Sequence, residues 1–140
     1  MPVQRTPEQE AVVKNRGGGL LVSAAAGSGK TRVLVERLLD RILTEGKNVD
    51  EFLIITFTRA AAEELRGRVG QELAQALAAQ PDNGHLRRQS GKLYQTQIST
   101  IHAFCTVLLR QWGHLLDVPA DFALCEEEEA QGLMDRTLNQ

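Results

Sequence analysis

Residues 24–31, AAAGSGKT, combine two glycines, a lysine and a threonine in a spacing that suits the binding of a phosphate chain. Gly27 and Gly29 can adopt backbone conformations that turn successive amide groups towards one anion. Lys30 supplies an ammonium group for the β- and γ-phosphates, and the Thr31 hydroxyl is a suitable ligand for Mg²⁺. The spacing is typical of the Walker A motif, and it predicts a site for a nucleoside triphosphate with magnesium.

The sequence around this motif predicts the elements that hold it. The apolar run at 20–24 predicts a short buried strand, and from Lys30 apolar residues recur at helical spacing until Gly46, a typical C-cap. The helix that begins near Lys30 adds unpaired amide groups and a positive dipole end to the site. Ala24 stands where the general motif has its first glycine, and alanine is the least obstructive replacement. We therefore expect the phosphate-binding loop to form.

The rest of the chain alternates between strand and helix signals. The apolar runs at 52–57 and 97–101 predict two further strands, so we expect a sheet of three. Helices are predicted after Thr6, which precedes Pro7; after Thr58, with a stripe of Leu65, Val69, Leu73 and Leu77; over 85–95 and 102–112; and from the glutamates at 126–129 to Leu138. Strands that alternate with helices predict an α/β fold with a parallel sheet.

Composition and charge narrow the class of protein. Hydrophobic residues make up 42% of the 140 residues and charged residues 24%, as in an ordinary globular domain. The sequence has no apolar run long enough for a membrane span and no apolar signal segment, so we expect a cytoplasmic protein with no membrane contact. Cys105 and Cys125 match neither a metal cluster nor a disulfide framework, and we expect both to be buried and reduced. Residues 1–110 carry a mild excess of basic residues, which is compatible with nucleic acid.

Three more stretches accompany the loop in a fixed order: RTPEQEAVV at 5–13, ITFTRAAAEELRGRV at 55–69 and ISTIHAFC at 98–105. Together with the loop they resemble the superfamily 1 DNA helicases of the UvrD, Rep, PcrA and RecB group, in which alanine is common at the position of Ala24. The resemblance covers essentially the whole chain. It is strongest to the helicase subunit of the AddAB (RexAB) helicase–nucleases, whose loop is similar to SAAAGSGKT.

This resemblance implies a RecA-like P-loop NTPase fold, with a parallel sheet, flanking helices and an incomplete first motor domain. Residues 1–140 are expected to form the N-terminal portion of helicase domain 1A, with the Q motif, Walker A and motifs Ia and Ic. A helical insertion is expected to start after about residue 113. The implied cofactors are ATP and Mg²⁺. The implied partners are single- and double-stranded DNA, the rest of the helicase chain and a second subunit of AddB (RexB) type, in double-strand-break repair and recombination.

The resemblance also assigns nucleotide contacts residue by residue. Gln9 matches the glutamine of the Q motif, whose amide pairs with the adenine edge, and Arg32 matches an arginine that lies against the base. Without the family, Gln9 would be interpreted as an ordinary exposed helix residue. The ATP-binding set is Gln9, Ala24, Ala25, Ala26, Gly27, Ser28, Gly29, Lys30, Thr31 and Arg32, with Lys30 and Thr31 as catalytic residues and Thr31 as the magnesium ligand.

A second set of residues is implied to contact DNA: Thr56, Phe57, Thr58, Arg59 and His102. Phe57 would present its ring to a base, and the hydroxyls of Thr56 and Thr58 would hold phosphate. Arg59 stands where the family usually has asparagine, which keeps an attraction for phosphate and loses the paired hydrogen bonds of an amide. Core packing of Phe57 and a structural role for His102 are alternatives that the residues alone leave open.

ATP hydrolysis also needs an acidic residue at a strand end and an arginine finger, which the family supplies downstream, the acid in a DExxD-type segment. Segment 122–129, FALCEEEE, is similar to such an acidic segment (Walker B) in that an apolar run precedes acidic residues. Its four glutamates, however, fit the first turn of a helix better than the end of a strand. We therefore expect this chain to bind nucleotide weakly and to show essentially no turnover.

Two other classes of function stay open from the sequence. A small P-loop phosphotransferase would bind ATP without DNA, and a non-catalytic interaction fragment would bind neither. A partial sheet of three strands would also leave apolar surface uncovered, which favours self-association.

Overall fold

The computed structural model describes residues 5–25, 27–119 and 121–138. These residues form six α-helices and two β-strands: α1 (Pro7–Lys14), α2 (Lys30–Glu45), β1 (Leu53–Thr56), α3 (Arg59–Ala79), α4 (Gly84–Gly91), β2 (Gln97–Thr100), α5 (Ile101–Trp112) and α6 (Glu127–Leu138). Short 3-10 turns occupy Val49–Glu51, Leu93–Gln95 and Gly113–Leu116. The chain divides into two compact units, Met1–Ile101 and His102–Gln140, each of which is described by itself.

The helices begin and end where their capping residues predict. The Thr6 hydroxyl accepts a hydrogen bond from the Gln9 amide (3.3 Å), and the Gln9 side chain accepts one from the Thr6 amide (3.1 Å), which together form a capping box. Thr58 Oγ1 accepts from the Ala61 amide (3.1 Å) at the start of α3. Gly46 ends α2 in the left-handed region, with a φ of 66°. These local predictions are confirmed.

The two strands pair in parallel, with Leu53 opposite Gln97 and Thr56 opposite Thr100. Parallel strands need a long crossover, and α3 and α4 provide it. The carboxyl ends of both strands therefore lie side by side at Thr56 and Thr100. The parallel pairing of the second and third predicted strands is confirmed.

The core of the first unit lies between α2, α3, α4 and one face of the sheet. The predicted stripe of α3 is buried at Leu65, Val69 and Leu73, while Leu77 is partly buried against the same core. The other elements contribute Val35, Leu38, Leu39 and Ile42 from α2, Val49, Leu86 and Ile98. Helical spacing of apolar residues therefore predicted the inner face of α3 correctly.

The predicted strand at 20–24 is wrong. This segment is not part of the sheet, and Leu21 is 95% exposed. A strand exists only when its backbone groups pair with a neighbour, and an apolar run does not reveal whether that neighbour is present. The sheet of the described residues has two strands rather than three.

One face of β1 is also more exposed than its apolar sequence predicts. Ile54 packs against the core, whereas Leu53 and Ile55 on the other face are 51% and 42% exposed. The alternation of side chains along a strand produces this difference, because Ile54 points to the face that packs against the core and its neighbours point to the other face. The expectation that the partial sheet leaves apolar surface uncovered is confirmed.

The second unit exposes most of its described side chains. Trp112 is 53% exposed. Cys105 and Cys125 are also exposed, so the predicted burial of these two cysteines is wrong. Helical spacing marks an apolar face on α5 but does not reveal what covers that face. Residues 122–126 form no strand and α6 begins at Glu127, as the helix interpretation of the glutamates predicts. None of the helices in the described part of the chain is long and apolar enough to cross a bilayer.

Ion pairs fasten the α1 region to α2. Arg5 Nε lies 2.6 Å from Glu36 Oε2, Lys14 Nζ lies 2.6 Å from Asp40 Oδ1, and Arg16 also contacts Asp40. Burial is the largest single influence on the pKa of Glu36 and of Asp40 and raises both. Hydrogen bonds from the cationic side chains outweigh it, so that both pKa values lie below their ordinary range.

This arrangement predicts acid sensitivity. A lowered pKa means that the folded chain binds the proton less readily than the unfolded chain does. The two carboxylates therefore stabilise the fold above their ordinary pKa values of 4.5 and 3.8, and this stabilisation disappears as the pH falls through the lower folded values. We expect the free energy of unfolding in urea to decline below about pH 4.5. The double variant Glu36→Gln/Asp40→Asn should decline less steeply, and an identical profile would contradict the role of these pairs.

Truncation of the core should cost much more than truncation of the surface. Leu73 is fully buried, so Leu73→Ala should lower the free energy of unfolding by about 2–5 kcal/mol, because the lost methyl groups leave a cavity. Leu43 on α2 is 42% exposed, and Leu43→Ala is the matched control, with an expected cost below about 1 kcal/mol. Urea unfolding measures both variants, and equal losses would place Leu73 outside the core.

Candidate functional site

The loop before α2 has the backbone conformation that its glycines predict. Gly27 and Gly29 have φ angles of 77° and 83°, in the left-handed region that residues with a Cβ rarely adopt. Gly29 caps α2, and its carbonyl accepts the Val33 amide at 2.9 Å. A Cβ at Gly27 would meet nothing within 4 Å, so the conformation rather than the available space requires glycine there. Ala26, also predicted for this site, lies outside the described residues.

Lys30 is the first residue of α2, and its side chain folds back over the loop. Its Nζ donates hydrogen bonds to the carbonyls of Ala24 (2.6 Å) and Ala25 (2.8 Å). An ammonium group has three donors, so these two bonds leave one N–H for another acceptor. The Ser28 amide closes the turn on the Ala25 carbonyl at 3.3 Å. The ammonium group therefore lies beside the start of α2, where the helix favours an anion.

Gln9 connects α1 to this loop. Its Nε2 donates to the Ser28 carbonyl (3.2 Å), and its Oε1 accepts from the Thr6 amide (3.1 Å). Its interpretation as an ordinary exposed helix residue is wrong, because the side chain is half-buried and bonded at both ends. The carboxamide retains a second N–H and a second lone pair, which are the groups that a base edge requires.

Thr31 and Arg32 occupy the first turn of α2. Thr31 is exposed, and Arg32 Nε donates to Glu36 Oε1 (2.7 Å). The other Glu36 oxygen accepts from Arg5 Nε (2.6 Å), so one carboxylate joins two arginines. Glu36 and Arg5 were not predicted as site residues. The i, i+4 spacing of Arg32 and Glu36 is a signal in the sequence, whereas the contact with Arg5, 31 residues before Glu36, is not.

A cavity of about 710 Å³ lies beside the loop in the first unit. Gln9, Ser28 and Lys30 contribute polar groups to its wall. The apolar part of the wall includes Val12, Leu20, Val22, Val33 and Leu34. Ala24 also lines it, so four residues that were predicted to contact the nucleotide share one concave surface.

The second predicted set follows the carboxyl end of β1. Phe57 is 104% exposed, which rules out core packing of its ring. Thr56 Oγ1 donates to the Thr58 carbonyl (3.0 Å), while Thr58 Oγ1 accepts from the Ala61 amide (3.1 Å). Both hydroxyls therefore shape the turn into α3, and Thr58 keeps its hydroxyl proton for an outside acceptor.

The remaining basic candidates have different positions. Arg59 is the exposed first residue of α3, so residues 56–59 lie in the short turn that joins the end of β1 to α3. His102 is the exposed second residue of α5 and belongs to the second unit. Arg66 on α3 is half-buried and donates from Nη2 to the Ile98 carbonyl (2.7 Å). Its role is therefore to hold α3 against β2.

Comparison with known proteins gives the family. Residues 5–140 match the model of the UvrD/REP helicase N-terminal domain. The chain belongs to this family. The match includes both the glycine loop and the turn after β1, so the two candidate surfaces lie within the helicase N-terminal domain.

Three curated relatives of this helicase domain are named as ATP-dependent helicase/nuclease subunits. The chain is 48% identical to the protein of Lachnoclostridium phytofermentans over 126 residues, which cover 89% of this chain and 9% of that protein. It is 43% identical to the Oceanobacillus iheyensis protein over 139 residues (98% and 11%) and 42% identical to the Listeria monocytogenes protein over 135 residues (95% and 11%). The chain therefore spans only 9% to 11% of the length of these relatives.

The left-handed conformation of Gly27 predicts that replacing it destabilises the fold more than replacing a glycine with ordinary backbone angles does. Gly27→Ala should lower the free energy of unfolding by about 1–2 kcal/mol, because alanine is strained in this region of φ. Gly17 is the matched control: it has open space around it and no left-handed φ, so Gly17→Ala should change stability by less than about 0.5 kcal/mol. Urea unfolding compares the two variants. Equal effects would contradict the loop conformation.

Proposed function

We propose that this chain binds ATP with magnesium and single-stranded DNA as the N-terminal portion of the motor of an ATP-dependent DNA helicase. The loop at 24–31 carries the proposal, because left-handed Gly27 and Gly29 place Lys30 at the N-terminus of α2. Backbone amides, a helix N-terminus and an ammonium group together suit a phosphate chain. Family membership supports a helicase over a small phosphotransferase or a ligand-free interaction fragment.

The residues present fit a magnesium–triphosphate group. Lys30 would engage phosphate oxygens in exchange for the carbonyls of Ala24 and Ala25. Thr31, exposed on the first turn of α2, would supply a hydroxyl ligand to magnesium. Gln9 and Arg32 would contact the base. When bound, the metal ion compensates the negative charge that the phosphates carry.

We propose that single-stranded DNA contacts the turn after β1. Phe57 offers a fully exposed ring on a turn that the hydrogen bonds of Thr56 and Thr58 hold in shape. A base stacked on such a ring gains about 1–3 kcal/mol. Arg59 and the first amides of α3 favour a phosphate beside it. His102, which belongs to the second unit, is proposed by itself as a contact to DNA.

For the whole protein, the proposal follows its relatives, which are named as ATP-dependent helicase/nuclease subunits. We propose ATP-driven translocation along single-stranded DNA, with strand separation in double-strand-break repair and recombination in the cytoplasm. The proposed partners are DNA, the rest of the helicase chain and a second subunit of AddB (RexB) type. Residues 1–140 would lie in domain 1A, with the helical insertion starting after about residue 113, within the largely exposed second unit.

This chain alone is proposed to bind ATP without turning it over. Hydrolysis needs an acidic residue at a strand end, whereas residues 126–129 lie at the start of α6 and 122–126 form no strand. A steady ATPase rate of this chain that Lys30→Ala abolishes would overturn this part of the proposal.

The nucleotide site is tested by its lysine. Lys30→Ala should weaken the binding of magnesium–ATP by at least about tenfold, because charge-assisted hydrogen bonds to phosphate are lost. Lys47→Ala removes a lysine that pairs with Glu51 beyond the carboxyl end of α2, and should bind ATP as the wild type does. Isothermal titration calorimetry gives the affinities. A wild-type chain that does not bind ATP, or a Lys30→Ala variant that binds equally well, would refute the site.

The DNA contact is tested by its aromatic ring. Phe57→Ala should weaken the binding of an oligothymidylate by about 1–3 kcal/mol, since one stacked base is lost. Tyr94→Ala is the matched control, because Tyr94 is an aromatic residue that is 77% exposed and lies in the turn after α4. Fluorescence anisotropy of a labelled oligonucleotide measures both variants. Equal losses would indicate nonspecific contact with exposed rings.

A further inference from the structure

The Glu36 carboxylate holds two guanidinium groups at once. Its Oε2 accepts a hydrogen bond from Arg5 Nε (2.6 Å), and its Oε1 accepts one from Arg32 Nε (2.7 Å). The Glu36 side chain is only 16% exposed, whereas the Glu64 side chain, which pairs with Arg68 at the same i, i+4 spacing, is 61% exposed. A shielded carboxylate with both oxygens engaged fixes its partners more firmly than a solvated carboxylate does.

The geometry of these bonds suits an arginine that has to stack. The N–H groups of a guanidinium point outward in its plane, so a carboxylate binds the edge of the group. A base stacks on the flat face instead. The bond to Glu36 therefore fixes the direction of the Arg32 side chain without using the face that a base would cover.

A continuous set of contacts joins Arg32 to the residue proposed to read the base edge. Glu36 connects Arg32 to Arg5 through hydrogen bonds, and Thr6 is the next residue after Arg5 in the sequence. The Thr6 amide then donates to the side chain of Gln9 at 3.1 Å. A change at Glu36 can therefore affect both residues that are proposed to meet the base.

We propose that Glu36 is a positioning residue for the nucleotide base, which holds Arg32 for stacking and, through Arg5, keeps Gln9 in reach of the base edge. This inference deepens the proposed ATP site and rests on it. The role of Glu36 is confined to the base, because the phosphates are assigned to the loop and to Lys30, whose ammonium is held by other partners, Ala24 and Ala25.

A purely structural ion pair would behave differently. If Glu36 only stabilised the fold, its loss would lower the folded fraction of the chain and would weaken ATP and tripolyphosphate alike. A positioning role instead predicts that affinity for ATP falls while affinity for inorganic tripolyphosphate is retained. Tripolyphosphate carries the same chain of phosphates and no base, so the ratio of the two affinities isolates the base contribution.

The test is Glu36→Gln in this chain, titrated calorimetrically with magnesium–ATP and with magnesium–tripolyphosphate. Glutamine has the same shape, but its amide nitrogen donates, so it cannot accept the two guanidinium bonds at two separate atoms as the Glu36 carboxylate does. We expect ATP affinity to fall by about tenfold and tripolyphosphate affinity to stay within about twofold. Arg32→Ala should give the same selective loss, and the double variant should lose little more, because the two residues act together.

Glu64→Gln is the matched control and should leave both affinities unchanged, since it breaks an exposed pair on α3. An unchanged affinity ratio in Glu36→Gln overturns the inference, as does equal weakening of both ligands. Either result leaves the ATP site standing if wild-type binding depends on Lys30. If the wild-type chain binds neither ligand, both proposals fail. Should Glu36→Gln not fold in a urea-unfolding control, Arg32→Ala alone decides, and an unchanged ratio there also overturns the inference.

Discussion

Burial of one face of α2 governs the geometry of the proposed nucleotide site. Leu38 and Ile42 lie in the core, two to three turns from the exposed loop that precedes the helix. A helix transmits position along its axis, because its backbone hydrogen bonds keep it straight and its packed face cannot slide in a close-packed interior. The place of Lys30 is therefore set by hydrophobic contacts in which Lys30 takes no part. The glycines then determine how the chain arrives at that place.

The polar face of the same helix receives α1. Glu36 forms an ion pair with Arg5, and Asp40 forms one with Lys14. Arg37 donates a hydrogen bond to the Val12 carbonyl. Exposed ion pairs contribute little to stability, but these carboxylates are largely shielded, so breaking one pair leaves a charge poorly solvated. One helix thus joins the core, the loop and α1, and the three cannot move independently.

Features that depend on neighbouring residues were predictable from the sequence. The capping box at Thr6, the conformations of Gly27 and Gly29, and the buried stripe of α3 all follow from residues within a few positions of one another. Features that depend on contacts with residues far away in the sequence were not predictable. The run at 20–24 could not reveal that it lacks a place in the sheet, and the bond of Gln9 to Ser28 joins residues 19 positions apart. Hydrophobic pattern gives the face of an element, and only the fold gives its neighbour.

The carbonyl groups of Ala24 and Ala25 accept hydrogen bonds from the Lys30 ammonium group, so they compete with any bound anion for it. Any anion that takes the lysine from Ala24 and Ala25 replaces neutral acceptors with charged ones, so the number of hydrogen bonds barely changes. The gain comes from the difference in charge, and it grows with the number of negative charges close to Nζ. A neutral ligand would gain almost nothing from the exchange, whereas a polyanion would gain at every oxygen. At the proposed site, the charge of a ligand would therefore matter before its shape or its base is recognised.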